Sequence, residues 1–148
     1  MKRNESLRYL AVAVLAAREA GRIQLKNLGK LGLGDVKYKG ESDWVTKIDA
    51  RAEKAVIRII KKAFPAHTIK AEESAPHAEA GEHQWIIDPI DGTTNYIHSF
   101  PMFCTSIALA RNSVLEVGVI YDPLRRELFT ARRGHGAFLN GKRSRANA

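Results

Sequence analysis

Two aspartates, Asp88 and Asp91, stand within the string Trp85-Ile86-Ile87-Asp88-Pro89-Ile90-Asp91-Gly92-Thr93-Thr94-Asn95-Tyr96. Hard cations such as Mg2+ take oxygen ligands at fixed spacing, and carboxylates at the end of a rigid element supply them. Pro89 fixes its own φ and stiffens the turn between the two acids. Gly92 then leads a run of small hydroxyl residues at an expected helix start, where unpaired backbone N–H groups favour an anion. A cation with a phosphate beside it suits this arrangement. Asp, Pro and Gly are also ordinary turn residues, so two aspartates alone would say little.

The elements that must position these groups follow from the apolar pattern. Residues 85–87 form a short apolar run that reads as a buried strand. Upstream, His67-Thr68-Ile69-Lys70 reads as a strand leading to Ala71-Glu72-Glu73-Ser74, which puts two more acids at an expected strand end one loop before Asp88. Trp44-Val45-Thr46-Lys47-Ile48-Asp49 precedes an expected helix over 50–64 with apolar positions Ala55, Ile57, Ile60 and Ala63. Asp49 there serves either as the N-cap of that helix or as a further carboxylate at the site. An amphipathic helix is expected over 5–27, interrupted only by Gly21, with Leu7, Leu10, Ala11, Val14 and Leu15 on its buried face. Residues 28–40 are glycine-punctuated and carry Lys30, Lys37 and Lys39, so they read as a loop or weak hairpin. Strand-like runs at 103–110, 115–121, 127–130 and 137–139 are joined by short links, and Asn140-Gly141 is a strong hairpin signal. Short links predict an antiparallel meander.

Asp88-Pro89-Ile90-Asp91-Gly92-Thr93-Thr94-Asn95-Tyr96 resembles the signature of the inositol monophosphatase family, with Tyr96 in its aromatic place. Val45-Thr46 with Asp49, and Glu72-Glu73-Ser74, resemble two further family elements; Ala71 stands where many relatives carry Gly. Tyr121-Asp122-Pro123 and the segment from Gly134 to Gly141 are similar to bacterial members. The resemblance implies an α+β fold, a layered helix and antiparallel-sheet sandwich of the sugar-phosphatase type. It implies Mg2+-dependent hydrolysis of a phosphate monoester, inositol 1-phosphate or a related sugar or polyol phosphate, by metal-activated water. Glu72, Asp88, Asp91 and the Ile90 carbonyl would hold metal, with Asp88 shared between two ions. Asp49, Thr93 and Glu72 would be catalytic, and the N–H groups of Gly92, Thr93 and Thr94 would hold the phosphate. Lys39 is the candidate for a lysine closing over the metal site, or a solvated loop lysine. The resemblance covers residues 1–148 but only the N-terminal half of a family member, whose other half completes the second metal site and reads the substrate. Two chains completing one site, as a homodimer, is one consequence to test; a fragment or an inactive remnant is another.

Composition narrows the classes. One cysteine, Cys104, excludes an internal disulfide and fits a reducing cytoplasm; it lies in an apolar run, so a buried inert thiol is expected. No stretch approaches the roughly 20 apolar residues of a membrane span. The first residues do not read as a signal peptide, because Glu5 and Arg8 interrupt it, and a cytoplasmic location is expected. A net charge of +8 invites a contact with RNA or the transcription machinery; the resemblance implies the latter too, since some bacterial members bind the transcription machinery and assist ribosomal RNA antitermination. The basic residues fall in small clusters without interleaved aromatics, which a plain solvated surface also explains. The five histidines are scattered, without the paired spacing of a zinc site, and His98 reads as an exposed helix-end residue.

Overall fold

The computed structural model describes the backbone of residues 3–30 and 40–145, with side chains from 4–30 and 47–145. Lys37 and Lys39, and the side chains of Trp44, Val45 and Thr46, lie outside the described residues. Two long helices, α1 (Arg3–Asn27) and α2 (Gly40–Ala63), precede a sheet of seven strands. The strands are β1 (Thr68–Ala71), β2 (His83–Asp91), β3 (Cys104–Arg111), β4 (Val114–Asp122), β5 (Glu127–Arg132), β6 (Gly136–Leu139) and β7 (Lys142–Ser144), in spatial order equal to chain order. A one-turn helix, α3 (Thr93–Ile97), follows β2 directly. The meander expected from the short links holds from β2 to β7, while β1 and β2 run parallel, so the sheet is mixed.

The helices lie antiparallel across one face of the sheet: Arg8 at the start of α1 donates to the Ala63 carbonyl at the end of α2, 3.3 Å away. The core between helices and sheet includes Ala13, Ala16, Ala17 and Ala20 of α1, Ala52, Val56 and Ile60 of α2, and Trp85, Ile87, Ile107 and Leu109 of the sheet. Burying each large apolar side chain contributes roughly 1.5–3 kcal/mol.

The buried face of α1 is not the one its leucines predict. Of the expected face, Leu10 and Val14 pack in part against the core, but Leu7 and Leu15 are 43% and 59% exposed and Ala11 is exposed, whereas Ala13, Ala16, Ala17, Ala20, Tyr9 and Ile23 are buried. Small residues win because α1 lies close against β4: a Cβ on Gly21 would meet the Tyr121 ring at 2.6 Å. A leucine on that side would hold the helix off the sheet. On α2 the expected apolar positions do pack inward, Ala55 and Ile60 fully and Ile57 and Ala63 in part.

The other sheet face carries Ile86, Ile120 and Phe129, 39%, 45% and 39% exposed. A groove of about 270 Å3 runs over Ala108 and Gly118 between Ile120 and Phe138. Thus helices cover one face of the described sheet and leave apolar side chains open on the other, where a three-layer fold would place its next layer.

Candidate functional site

β1 and β2 create the site by their register. Ala71 is paired with Ile87, so the next residues, Glu72 and Asp88, emerge side by side at the same end of the sheet. The Glu72 N–H donates to the Ile87 carbonyl at 3.2 Å and carries the pairing one residue past β1. The parallel pairing brings together the two strand ends that the sequence places one loop apart.

At Asp88 the β2 ladder breaks. Asp88 faces Ser106, but Asp91 faces Cys104, so β2 spends three steps where β3 spends two. The extra residue is a β-bulge, which turns side chains away from strict alternation. Pro89 cannot donate to the ladder, and its carbonyl is taken by buried side chains instead: the Gln24 amide from α1 and the Thr105 hydroxyl, the latter at 3.0 Å. Gln24 also donates to Thr105 at 2.8 Å. A polar clamp from the first helix therefore fixes the bulge that aims the two aspartates.

The turn beyond is equally constrained. Gly92 caps α3 with φ +92°, and a Cβ there would lie 2.9 Å from the Met102 carbonyl. Glycine alone satisfies both demands. The Thr93 hydroxyl donates to the Ile90 carbonyl at 3.1 Å, and Asn95 donates to Met102 at 2.8 Å. Tyr96 is fully buried, packs edge-on against Phe103 at 4.9 Å and donates its hydroxyl to the Gln24 carbonyl at 2.8 Å. His98 is exposed at the end of α3, as expected.

Asp49 is not an N-cap. α2 begins at Gly40, so Asp49 lies inside the helix, 4% exposed, and cannot cap its first turn. One turn on, Glu53 is 2% exposed, and its two carboxylate oxygens accept the N–H groups of Glu73 and Ser74 at 2.8 and 2.9 Å. Glu53 thereby holds the loop that presents Glu72. Sequence reasoning missed it, because a glutamate inside a helix reads as a solvent-facing residue; its i+4 spacing from Asp49 was the available signal.

The electrostatics are those of negative charge without counter-charge. Burial first, then Glu73, Asp88, Glu72 and Glu53, push Asp49 up to about 7. Asp88 is likewise raised to about 7, by burial, by sharing a hydrogen bond with Glu72, and by the Glu72 and Asp91 charges. Glu73 is raised by burial and by Glu72 and Glu53. One oxygen of Asp49 and one of Asp88 (Oδ1 in each) are buried without a hydrogen-bond partner. Buried acceptors are rarely left so, and an oxygen-binding cation satisfies both the orphaned atoms and the repulsion. Among the described residues no three His, Cys, Asp or Glu side chains already stand in a metal-binding group. The donor set nonetheless suits Mg2+, which takes one or two carboxylates, keeps waters, and takes oxygen from its substrate.

The remaining predicted residues fall around this centre. Asp91 is exposed at the end of β2, and with Gly92 and Asn95 it lines a cavity of about 310 Å3 that also includes Cys104, Asp122 and Glu127. Thr93 and Thr94 open α3, where the first N–H groups of a helix lack intrahelical acceptors. Cys104 is half-buried rather than buried; burial and Asp91 raise its thiol to about 11, so it stays protonated at neutral pH. The histidines are less scattered in space than in sequence. Neighbouring strand starts bring His67 and His83 into a stack 4.5 Å apart, and Trp85 donates to His67 at 3.1 Å. This stack packs against Tyr9 and Phe64 in the aromatic core.

A family profile described as the inositol monophosphatase family matches residues 6–148. A Salmonella typhimurium protein named "Nus factor SuhB" is 48% identical over 139 residues, 93% of this chain and 52% of that protein. The crystal structure of the extragenic suppressor protein suhB from Bartonella henselae superposes with TM-score 0.81 at 39% identity, over 95% of this chain and 54% of that one. Inositol monophosphatase from Anabaena (Nostoc) sp. PCC 7120 gives TM-score 0.80 at 38% identity, over 97% of this chain and 50% of that one. The chain spans about half the length of the relatives it matches.

Proposed function

The chain belongs to the inositol monophosphatase family, and from that premise we propose that its site serves Mg2+-dependent hydrolysis of a phosphate monoester, inositol 1-phosphate or a related sugar or polyol phosphate. The observation that supports this most is the pair of buried, partnerless carboxylate oxygens on Asp49 and Asp88 beside Glu72. Glu72, Asp88, Asp91 and the Ile90 carbonyl would hold the metal. Bound there, Mg2+ supplies Lewis-acid stabilisation of phosphate charge and makes water acidic enough to lose a proton near neutral pH.

The protein's own groups do the rest. Thr93 donates its hydrogen to Ile90, which leaves its oxygen lone pairs free to accept from the attacking water. Asp49 takes the proton, its basicity raised by burial. In the metal-free chain the Glu72 charge and its shared hydrogen bond favour the protonated form of Asp88. The N–H groups of Gly92, Thr93 and Thr94 orient the phosphate. Lys39 remains a candidate to close over the site.

The test is phosphate release from inositol 1-phosphate across a Mg2+ titration, with Asp88→Asn as control. Release that needs both Mg2+ and Asp88 supports a working site in this half-length chain, by itself or as a homodimer. No release from a chain that melts cooperatively refutes activity of the chain alone.

A second reading is a metal-independent contact with the transcription machinery, supported by relatives named "Nus factor" and by the net charge of +8. Binding to transcription proteins that is indifferent to EDTA would support it; binding lost with Mg2+ removal would refute it. No helix among the described residues is long and apolar enough to cross a membrane, and a cytoplasmic setting suits both readings.

A further inference from the structure

We propose that the seam between α1 and α2 binds the phosphate backbone of a single-stranded nucleic acid. A cleft of about 360 Å3 opens there, lined by Arg22 and Lys26 of α1 and by Arg51, Lys54 and Arg58 of α2, with Glu19 the one acid among the described residues. Glu19 is already bound to Arg22, through contacts of 2.7 and 2.9 Å. Among the described residues, Lys26, Arg51, Lys54 and Arg58 have no ion pair, and all four are exposed. Like charges crowded at one seam oppose helix packing unless an anion joins them.

The shape specifies the anion further. Arg51 and Arg58 are about 10 Å apart along α2 at 1.5 Å per residue, too long a row for one phosphate and suited to a linear polyanion. The floor is Ile23 and Ala55, each 6% exposed. Among the described residues no aromatic side chain lines the cleft, so they offer bases no stacking platform, and binding will read backbone charge rather than sequence.

This cleft is separate from the carboxylate site. At about 100° per residue, Arg58 lies about 180° around α2 from Asp49, and of the cleft's basic residues only Lys54 also lines the pocket that holds Glu53, Glu73 and Ser74. The inference gives the second reading a surface and a ligand chemistry. It is independent of phosphatase activity. A chain that binds transcription proteins but not RNA would defeat the cleft and leave that reading standing.

Binding of the whole chain to a fluorescent 12-nucleotide oligouridylate, followed by anisotropy across a salt series, tests it. The charge-reversal pair Arg51→Glu/Arg58→Glu is compared with Lys142→Glu/Arg143→Glu on β7, an equal change of charge elsewhere. The cleft pair should weaken binding at least tenfold and the β7 pair less than threefold. Neutral Arg51→Gln/Arg58→Gln, with an unchanged melt, should flatten the salt slope by about 1.4, since each lost contact to a single strand is worth about 0.7. Equal loss from both reversal pairs would mean diffuse attraction and overturn the proposal. So would absent binding, or tight binding of inorganic tripolyphosphate that RNA cannot displace.

Discussion

Replacing Asp49 with Asn keeps the shape of a side chain that is 4% exposed and removes its charge. In the folded, metal-free chain this carboxyl sits at about 7 against an ordinary 3.8, through burial and four neighbouring acids. About 3 pH units at 1.36 kcal/mol each is about 4 kcal/mol. Glu72 and Glu73 are exposed, so solvent screens part of the repulsion and about 2–3 kcal/mol remains. The direction follows from linkage: the folded chain holds this proton more tightly than the unfolded chain. Its stabilising contribution is full below about pH 3.8, is lost as pH rises through about 7, and is flat above that. Asn does not titrate. In EDTA at pH 8, Asp49→Asn should therefore be about 2–3 kcal/mol more stable than the wild type, and near pH 4 the two should agree closely. Urea denaturation at both pH values reads the difference directly. A variant equal to or weaker than wild type at pH 8 would refute the reasoning, because it would mean that Asp49 has a stabilising partner.

Three other outcomes are expected. Glu53→Ala strands two backbone N–H groups of the Glu73-Ser74 loop and should cost about 3 kcal/mol, with Glu53→Gln recovering part of it; an unchanged urea midpoint would exclude the tether. Gly92→Ala must hold an alanine at φ +92° with its Cβ 2.9 Å from a carbonyl oxygen, and should cost about 2 kcal/mol. Equal stability there would show that the turn relaxes freely. Mg2+ at 100 times its dissociation constant should stabilise the wild type by about 2.7 kcal/mol and leave Asp88→Asn unmoved in a thermal melt. A like shift in both would place the cation elsewhere.

Much of the candidate site was legible because its residues are contiguous. The run from Asp88 to Tyr96 carries its own turn chemistry, and the structure shows Gly92 and Thr93 held by nearby contacts, whereas Tyr96 is held by Gln24 of the first helix. The meander was legible for the same reason, since hairpins of short links leave the chain little choice. What failed was orientation. Leu7 and Leu15 of α1 point outward because contact with Tyr121 at Gly21 demands small residues, a fact about the sheet and not the helix. Asp49 read as a possible cap because the apolar period begins just after it, yet α2 extends back to Gly40.

The sequence by itself determined most of the elements and the family, but it read Asp88 to Asp91 as a turn where the structure has a bulge within β2. What it determined depends on residues within one or two turns of each other, where sterics and periodicity act directly. Only the tertiary structure decided that β1 runs parallel to β2, placing Glu72 beside Asp88. It alone revealed that Gln24 clamps the bulge and that Glu53 tethers the loop. Those contacts join groups 16 to 65 residues apart. Their energy comes from low-dielectric burial, which exists only once the helices have closed over the sheet.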